Sequence, residues 1–171
     1  VSARLPAWLG ADPGLGGALA LMVPGHEVGH GSFFIEDMPS LMGDGGKRKM
    51  DHWRLANILG YWTSVYNILG VTVERVHAMP KQGVTSSFSF GMSFGALVQA
   101  VASAGLPVTL IPPATWKTVY GLRGGRENKD LSRQKASQMF PGSAHLWPLK
   151  KHEGRAEAVL LAHYGSKLRN A

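Results

Sequence analysis

Cysteine is absent from this chain of 171 residues, which excludes disulfides, cysteine-ligated zinc and thiol nucleophiles together. Acids are scarce as well: 11 Asp and Glu stand against 18 Lys and Arg, a net charge of +7. Such a surplus points to a polyanionic partner, with a solubilising surface as the plainer explanation. No apolar run approaches the ~20 residues of a membrane-spanning helix. The start, "VSARLPAWLGADPG", lacks the charged beginning, long apolar middle and cleavage site of a signal peptide. The expectation is a soluble intracellular protein without a membrane partner, cytoplasmic (in a bacterium or phage-infected host) or organellar. The first residue is Val rather than Met, so the true start could lie upstream. Internal repeats and linkers are missing too, and the length fits one domain over residues 1–171. A hydrophobic share of 44% is enough for a folded core.

What is present divides into short apolar runs and longer periodic ones. "ARLPAWLGAD", "ALALMVPG" and "HGSFFIEDMPS" read as three strands joined by glycine turns, an antiparallel meander. "LMGDGGKRKM" reads as a glycine-rich basic loop. Asp51 can cap a helix running to Leu69, with Leu55, Ile58, Leu59 and Trp62 at helical spacing. "GVTVERV" is β-branched and predicts a strand. The next helix carries the stripe Phe90, Phe94, Leu97, Val98 and Val101 and stops at Gly105. "LPVTLIPP" gives a fifth strand, "ATWKTVYGL" a short helix, "RGGRENKD" a basic loop, "LSRQKASQMF" a helix, and "GRAEAVLLAHYG" a last helix ending at Gly165. The order predicts an α/β fold, a mixed five-stranded sheet flanked by helices.

The few acids fall in unusual places. Asp12 follows the first apolar run, where an Asp-Pro-Gly turn is an ordinary explanation. Glu74 lies inside "VTVERV", on the face with Thr72 and Val76. An acid buried without partners costs several kcal/mol or takes up a proton, so a cation, a metal, a water-filled cleft or a salt bridge with Arg75 must compensate it. Glu153 and Glu157 are four apart and share one helix face, where like charges repel. A divalent cation reverses that sign, and the macrodipole of a solvated helix start explains Glu153 better than Glu157.

The segments "GADPGLGGALAL" (10–21), "VTVERVHAMPKQGVTSSFSFGMSFGAL" (71–97), "IPPATWKTVYGL" (111–122), "KDLSRQKASQMFP" (129–141) and "KKHEGRAEAVLLAHYG" (150–165) resemble the RuvC-type Holliday-junction resolvases, an RNase H-like group, in the branch found in phages and plastids. The resemblance covers most of the chain after residue 9. It implies an RNase H-like sheet, with catalytic, metal-holding acids at Asp12, Glu74, Glu153 and Glu157. "HEGRAE" offers two glutamates beside His152, where relatives commonly show Asp or His, so the fourth ligand is Glu153 or His152, with Glu153 preferred. Lysines near the cut phosphate would correspond to Lys117 and Lys129. The activity implied is nicking of opposing strands of a four-way DNA junction by a homodimer, leaving 5′-phosphate and 3′-hydroxyl ends.

Four carboxylates cannot gather without cations, and oxygen-only ligands suit Mg²⁺ or Mn²⁺. Two such ions per site can clamp an in-line displacement. Lys47, Arg48, Lys49, Lys81, Arg123, Arg126, Lys129, Arg133 and Lys135 are the candidate phosphate contacts. Phe88 is a candidate wedge at the junction centre, against the commoner fate of core packing. Gly91, Gly95 and Ala102 offer a close-packing face for a second copy or for the sheet. Other readings are a nuclease for other branched DNA or RNA–DNA hybrids, and a DNA-binding protein without activity. An ATP-handling module, suggested by "DPGLGG", needs a second lobe for which the chain is too short.

Overall fold

Strict alternation in "ALALMV" builds the centre of the molecule. Strand β2 (Ala18–Val23) is buried along its whole length. Leu19, Leu21 and Val23 enter one hydrophobic layer, and Ala18, Ala20 and Met22 enter the other, as period-2 geometry requires. The computed structural model describes residues 3–24, 32–77, 83–122 and 130–168. β2 pairs antiparallel with β1 (Pro6–Ala11) and β3 (Ser32–Asp37). β6 (Asn67–Glu74) then runs parallel to β1, and β7 (Val108–Ile111) runs parallel to β6. The resulting order, β3-β2-β1-β6-β7, is the expected mixed five-stranded sheet.

The large side chains of β2 face α1 (His52–Val65) and α2 (Val84–Ser103). Leu55, Leu59, Trp62, Leu97 and Val101 complete that layer with Leu9, Val71 and Val73. Asp51 caps α1 by accepting from the Arg54 amide at 2.9 Å, a bond whose loss costs about 1 kcal/mol. On the other side lie α3 (Pro113–Val119), α4 (Leu131–Met139) and α5 (Glu153–Leu168).

Helix α5 lies unusually close to the sheet because two contact points are glycines. A methyl group on Gly10 would stand 2.0 Å from the Ala158 carbonyl oxygen and 2.3 Å from the Ala162 amide nitrogen. One on Gly165 would stand 2.0 Å from Thr72 Oγ1. Fully buried Val159, Leu160 and Leu161 anchor the same helix, each contributing roughly 1.5–3 kcal/mol.

Four expectations change. "LMGDGGKRKM" is a second small sheet, β4 (Ser40–Met42) paired with β5 (Arg48–Met50) around a turn that uses left-handed Gly45 and Gly46. The strands were hidden because each is only three residues long. Helix α1 ends at Val65, and Asn67–Leu69 begin β6 instead. Helix α5 continues through Gly165, whose lack of a side chain serves packing on Thr72 rather than a stop. Finally, α2 is 20 residues long and, by length and composition, apolar enough to cross a membrane. Interspersed Ser and Gly disguise that run, and the helix packs Leu97 and Val101 into the core. Gly105, with φ +72°, follows α2 as the expected stop.

Candidate active site

Parallel pairing of β1 and β6 places two acids side by side. The register runs through Ala11 opposite Val73. Asp12 follows Ala11 and Glu74 ends β6, so both leave the same edge of adjacent strands, which run about 4.8 Å apart. Helix α5 brings buried Glu157 to that edge. The turn after Asp12 is shaped for this approach. A methyl group on Gly17 would lie 2.8 Å from Asp12 Oδ2, and one on Gly154 would lie 2.9 Å from the same oxygen and 2.7 Å from the Gly16 carbonyl. The glycine of "HEGRAE" therefore lets the first turn of α5 touch the Asp12 loop.

Electrostatics report the crowding. Burial, then Glu157 and Glu74, push the Asp12 carboxyl up to about 7, with the Gly14 amide and Lys117 pulling weakly the other way. Burial and Glu157 also raise Glu74, against Lys117 and Trp116. Lys117 on α3 answers the charge with its Nζ 2.7 Å from Glu157 Oε1. Burial alone would lower the Lys117 pKa, but Glu157, Glu74 and Glu153 outweigh it and raise it. Trp116 donates to Glu74 Oε2 at 2.9 Å, and Ser132 donates to Glu157 Oε1 at 2.8 Å. Behind them the Tyr120 hydroxyl meets His163 Nδ1 at 2.7 Å, tying α3 to α5.

The structure thus brings together Asp12, Glu74, Glu157 and Lys117, with Glu153 near enough to Lys117 to act on its charge. His152 faces elsewhere, beside Asp37 and Arg155. Among the described residues no three acidic or histidine side chains are arranged to hold an ion as they stand; Lys117 and Ser132 engage one oxygen of Glu157, and Trp116 one oxygen of Glu74. The donor chemistry nevertheless fits a hard divalent cation: every ligand is a carboxylate oxygen, and three mutually repelling acids outnumber the single ammonium.

Sequence reasoning missed Trp116 and Ser132, since a tryptophan or serine carries no charge to draw notice. It also missed Gly17 and Gly154, whose role depends on a contact between distant segments. Among the candidate phosphate contacts, Lys47, Arg48 and Lys49 sit on the β4–β5 hairpin and are exposed. Arg133 is clamped by Asp130 at 2.6 and 2.7 Å, and Lys135 lies on α4 beside a surface cavity. Phe88 is 68% exposed on α2, whereas Phe94 packs on the core. Lys81, Arg123, Arg126 and Lys129 lie outside the described residues.

Known proteins share this arrangement of elements. The structure of RuvC from Thermus thermophilus superposes with a TM-score of 0.55 at 18% identity, covering 98% of this chain and 97% of that one. The fold is that of RuvC. T. thermophilus RuvC in complex with its Holliday junction substrate gives a TM-score of 0.54 at 18% identity, over 96% of both chains. The yeast mitochondrial Holliday junction resolvase Ydc2 gives 0.52 at 11% identity, over 99% of this chain and 83% of that one. In sequence, 90 residues are 33% identical to the chloroplastic Holliday junction resolvase MOC1 of Chlamydomonas reinhardtii, which is 53% of this chain. The match spans about a tenth of that relative's length, 10%. No family model matches. The resemblance and the RNase H-like α/β sheet read from the sequence are borne out.

Replacing Lys117 tests two roles that a metal-dependent nuclease site would give it. Lys117→Met removes the ammonium that competes for Glu157, so the Mg²⁺ needed for half-maximal activity should fall by roughly an order of magnitude. Turnover should fall about 10²-fold if the ammonium also serves a reacting phosphate. A Mg²⁺ titration of single-turnover cutting measures both, and a rise in the Mg²⁺ requirement would contradict the assignment.

Proposed function

We propose that this chain is a Holliday-junction resolvase, one RNase H-like nuclease domain over residues 1–171 that nicks opposing strands of a four-way DNA junction. The observation that carries the reading is the convergence of Asp12, Glu74 and Glu157 around Lys117 at one sheet edge in a RuvC fold. Asp12, Glu74, Glu157 and Glu153 would hold Mg²⁺ or Mn²⁺, two ions per site. When bound, such ions supply an acidified water and stabilise charge on the departing 3′ oxygen. The chain's own groups do the rest. Trp116 and Ser132 fix the carboxylates of Glu74 and Glu157 by donated hydrogen bonds. Lys117 offers its ammonium to a phosphate oxygen, and Lys129 belongs to the same proposal. The basic hairpin at Lys47, Arg48 and Lys49 faces the duplex arms with sequence-independent affinity.

Two matching cuts call for two copies. Helix α2 supports a homodimer: Val84, Phe88 and Met92 are exposed at four-residue spacing, and Gly91 and Gly95 beside them have open space around them. Phe88 belongs to this stripe as well as to the proposed wedge, and a partner helix covering the stripe would leave only its end free for DNA.

An immobile four-way junction, a linear duplex and an RNA–DNA hybrid, each with Mg²⁺ and with EDTA, test the reading. The expected result is paired nicks in the junction with Mg²⁺ alone, with 5′-phosphate ends and a protein sedimenting as a dimer. Preferential cutting of the hybrid would favour the RNase H-type alternative; binding without cutting in any metal would reject the nuclease.

A further inference from the structure

The Gly16–Gly17 turn has the acids on one side and a separate basic cleft on the other. That cleft has a volume of about 300 Å³ and is lined by Arg48, Lys151, His152 and Arg155, residues from the hairpin and from the start of α5. Two guanidiniums are held in place before any ligand arrives. Arg48 donates through Nη2 to the Leu15 carbonyl at 3.2 Å and to Ser40 Oγ at 2.6 Å. Arg155 grips Asp37 at 2.6 and 2.7 Å and donates to the Leu146 carbonyl at 3.0 Å. Asp37 is the acid of the cleft, and the Arg155 hydrogen bond holds its carboxyl below the usual range, so it stays paired. Arg48, Lys151 and Arg155 against Asp37 leave two positive charges in excess.

Among the described residues no Phe, Tyr or Trp lines the cleft, so they offer no platform for stacking a base. It shares the Gly16–Gly17 wall behind Asp12, and of its cations only Arg48 has a place in the reading above, on the basic hairpin. We propose that this cleft is a second phosphate subsite, gripping a backbone phosphate of the cut strand next to the one presented to the acids. The subsite rests on the nuclease reading and adds Lys151, His152 and Arg155, with Arg48, to its substrate contacts. A phosphate held there fixes the register of the strand and so the position of the nick, since backbone contacts position a nucleic acid.

Junctions carrying one neutral methylphosphonate at each linkage within three nucleotides of the nick test this. Affinity is read by fluorescence anisotropy in EDTA, where no cutting occurs. Wild-type protein should lose about tenfold in affinity at one linkage beside the nick. Lys151→Ala, at an exposed position, should bind the unmodified junction about tenfold more weakly, with its log-affinity against log-salt slope reduced by about 1. It should then be indifferent to the methylphosphonate at that linkage. Arg48→Met should behave likewise. If both variants respond to every methylphosphonate as wild type does, while wild type binds and cuts junctions, the subsite alone is overturned. A wild-type protein that binds no junction overturns the nuclease reading and the subsite with it.

Discussion

Asp12→Asn should leave junction affinity within about twofold and slow cutting by at least about 10³-fold. The asymmetry follows from the position of Asp12. It accepts from the Gly14 amide of its own turn and makes no hydrogen bond to the basic surfaces among the described residues, so removing its charge spares phosphate contacts. As a candidate ion ligand it supports several kcal/mol of charge stabilisation at the reacting phosphate, and each 1.4 kcal/mol is a factor of ten in rate. The same variant has a readout independent of activity. The folded-state pKa of Asp12 is raised from 3.8 to about 7, so between those values the folded protein holds a proton that the unfolded chain has released. Stability therefore falls as pH rises from about 4 to about 7, by an upper bound of about 4 kcal/mol for this group. Asparagine removes its share of that decline, and Glu74, shifted the same way, leaves a remainder. Mg²⁺ at ten times its dissociation constant should stabilise wild type by about 1.4 kcal/mol, a gain the variant should lose. Thermal melts across pH 4–8, with and without Mg²⁺, measure both effects. A variant that melts with the wild-type pH slope, or that cuts normally, removes Asp12 from the site.

Gly10→Ala should destabilise the protein by roughly 3 kcal/mol or more, at the top of the range for overpacking. For a chain of this size that is a fall in Tm of roughly 6–12 °C. The added methyl meets backbone atoms of α5, the Ala158 carbonyl oxygen and the Ala162 amide nitrogen, which cannot rotate away as a side chain can. Relief requires α5 to lift off β1, and α5 carries Glu157. Junction cutting should therefore fall further than the lost stability explains. Gly60→Ala on α1 is the control. Its added methyl meets nothing within 4 Å, so helix propensity should make it stabilising by up to about 1 kcal/mol. Equal melting temperatures for the two variants would refute the close packing of α5.

Local pattern carried the sheet and most helices. Short apolar runs and glycine turns fixed the meander, β-branched residues fixed β6, and the Leu55–Leu59–Trp62 spacing fixed α1. The β4–β5 hairpin escaped because three-residue strands leave no period to read. The α2 stripe was read, but interspersed Ser and Gly masked its uncharged length of 20 residues from Val84. The site was legible as acids, because Asp12, Glu74 and Glu157 are rare and sit against apolar runs. Its uncharged supports were not legible, since Trp116, Ser132, Gly17 and Gly154 gain meaning only when strand ends and α5 meet. The basic cleft escaped for the same reason: Arg48 and Arg155 are 107 positions apart in the sequence, and only folding places them on one wall.

Lys117 standing among the carboxylates has a consequence for how this edge of the protein forms. The chain brings a counter-ion of its own, so the reactive edge can form during synthesis even where free magnesium is depleted. On the proposed metal-dependent reading, chelation should then silence the molecule without unravelling it, and restoring the ion should revive it with no refolding step in between.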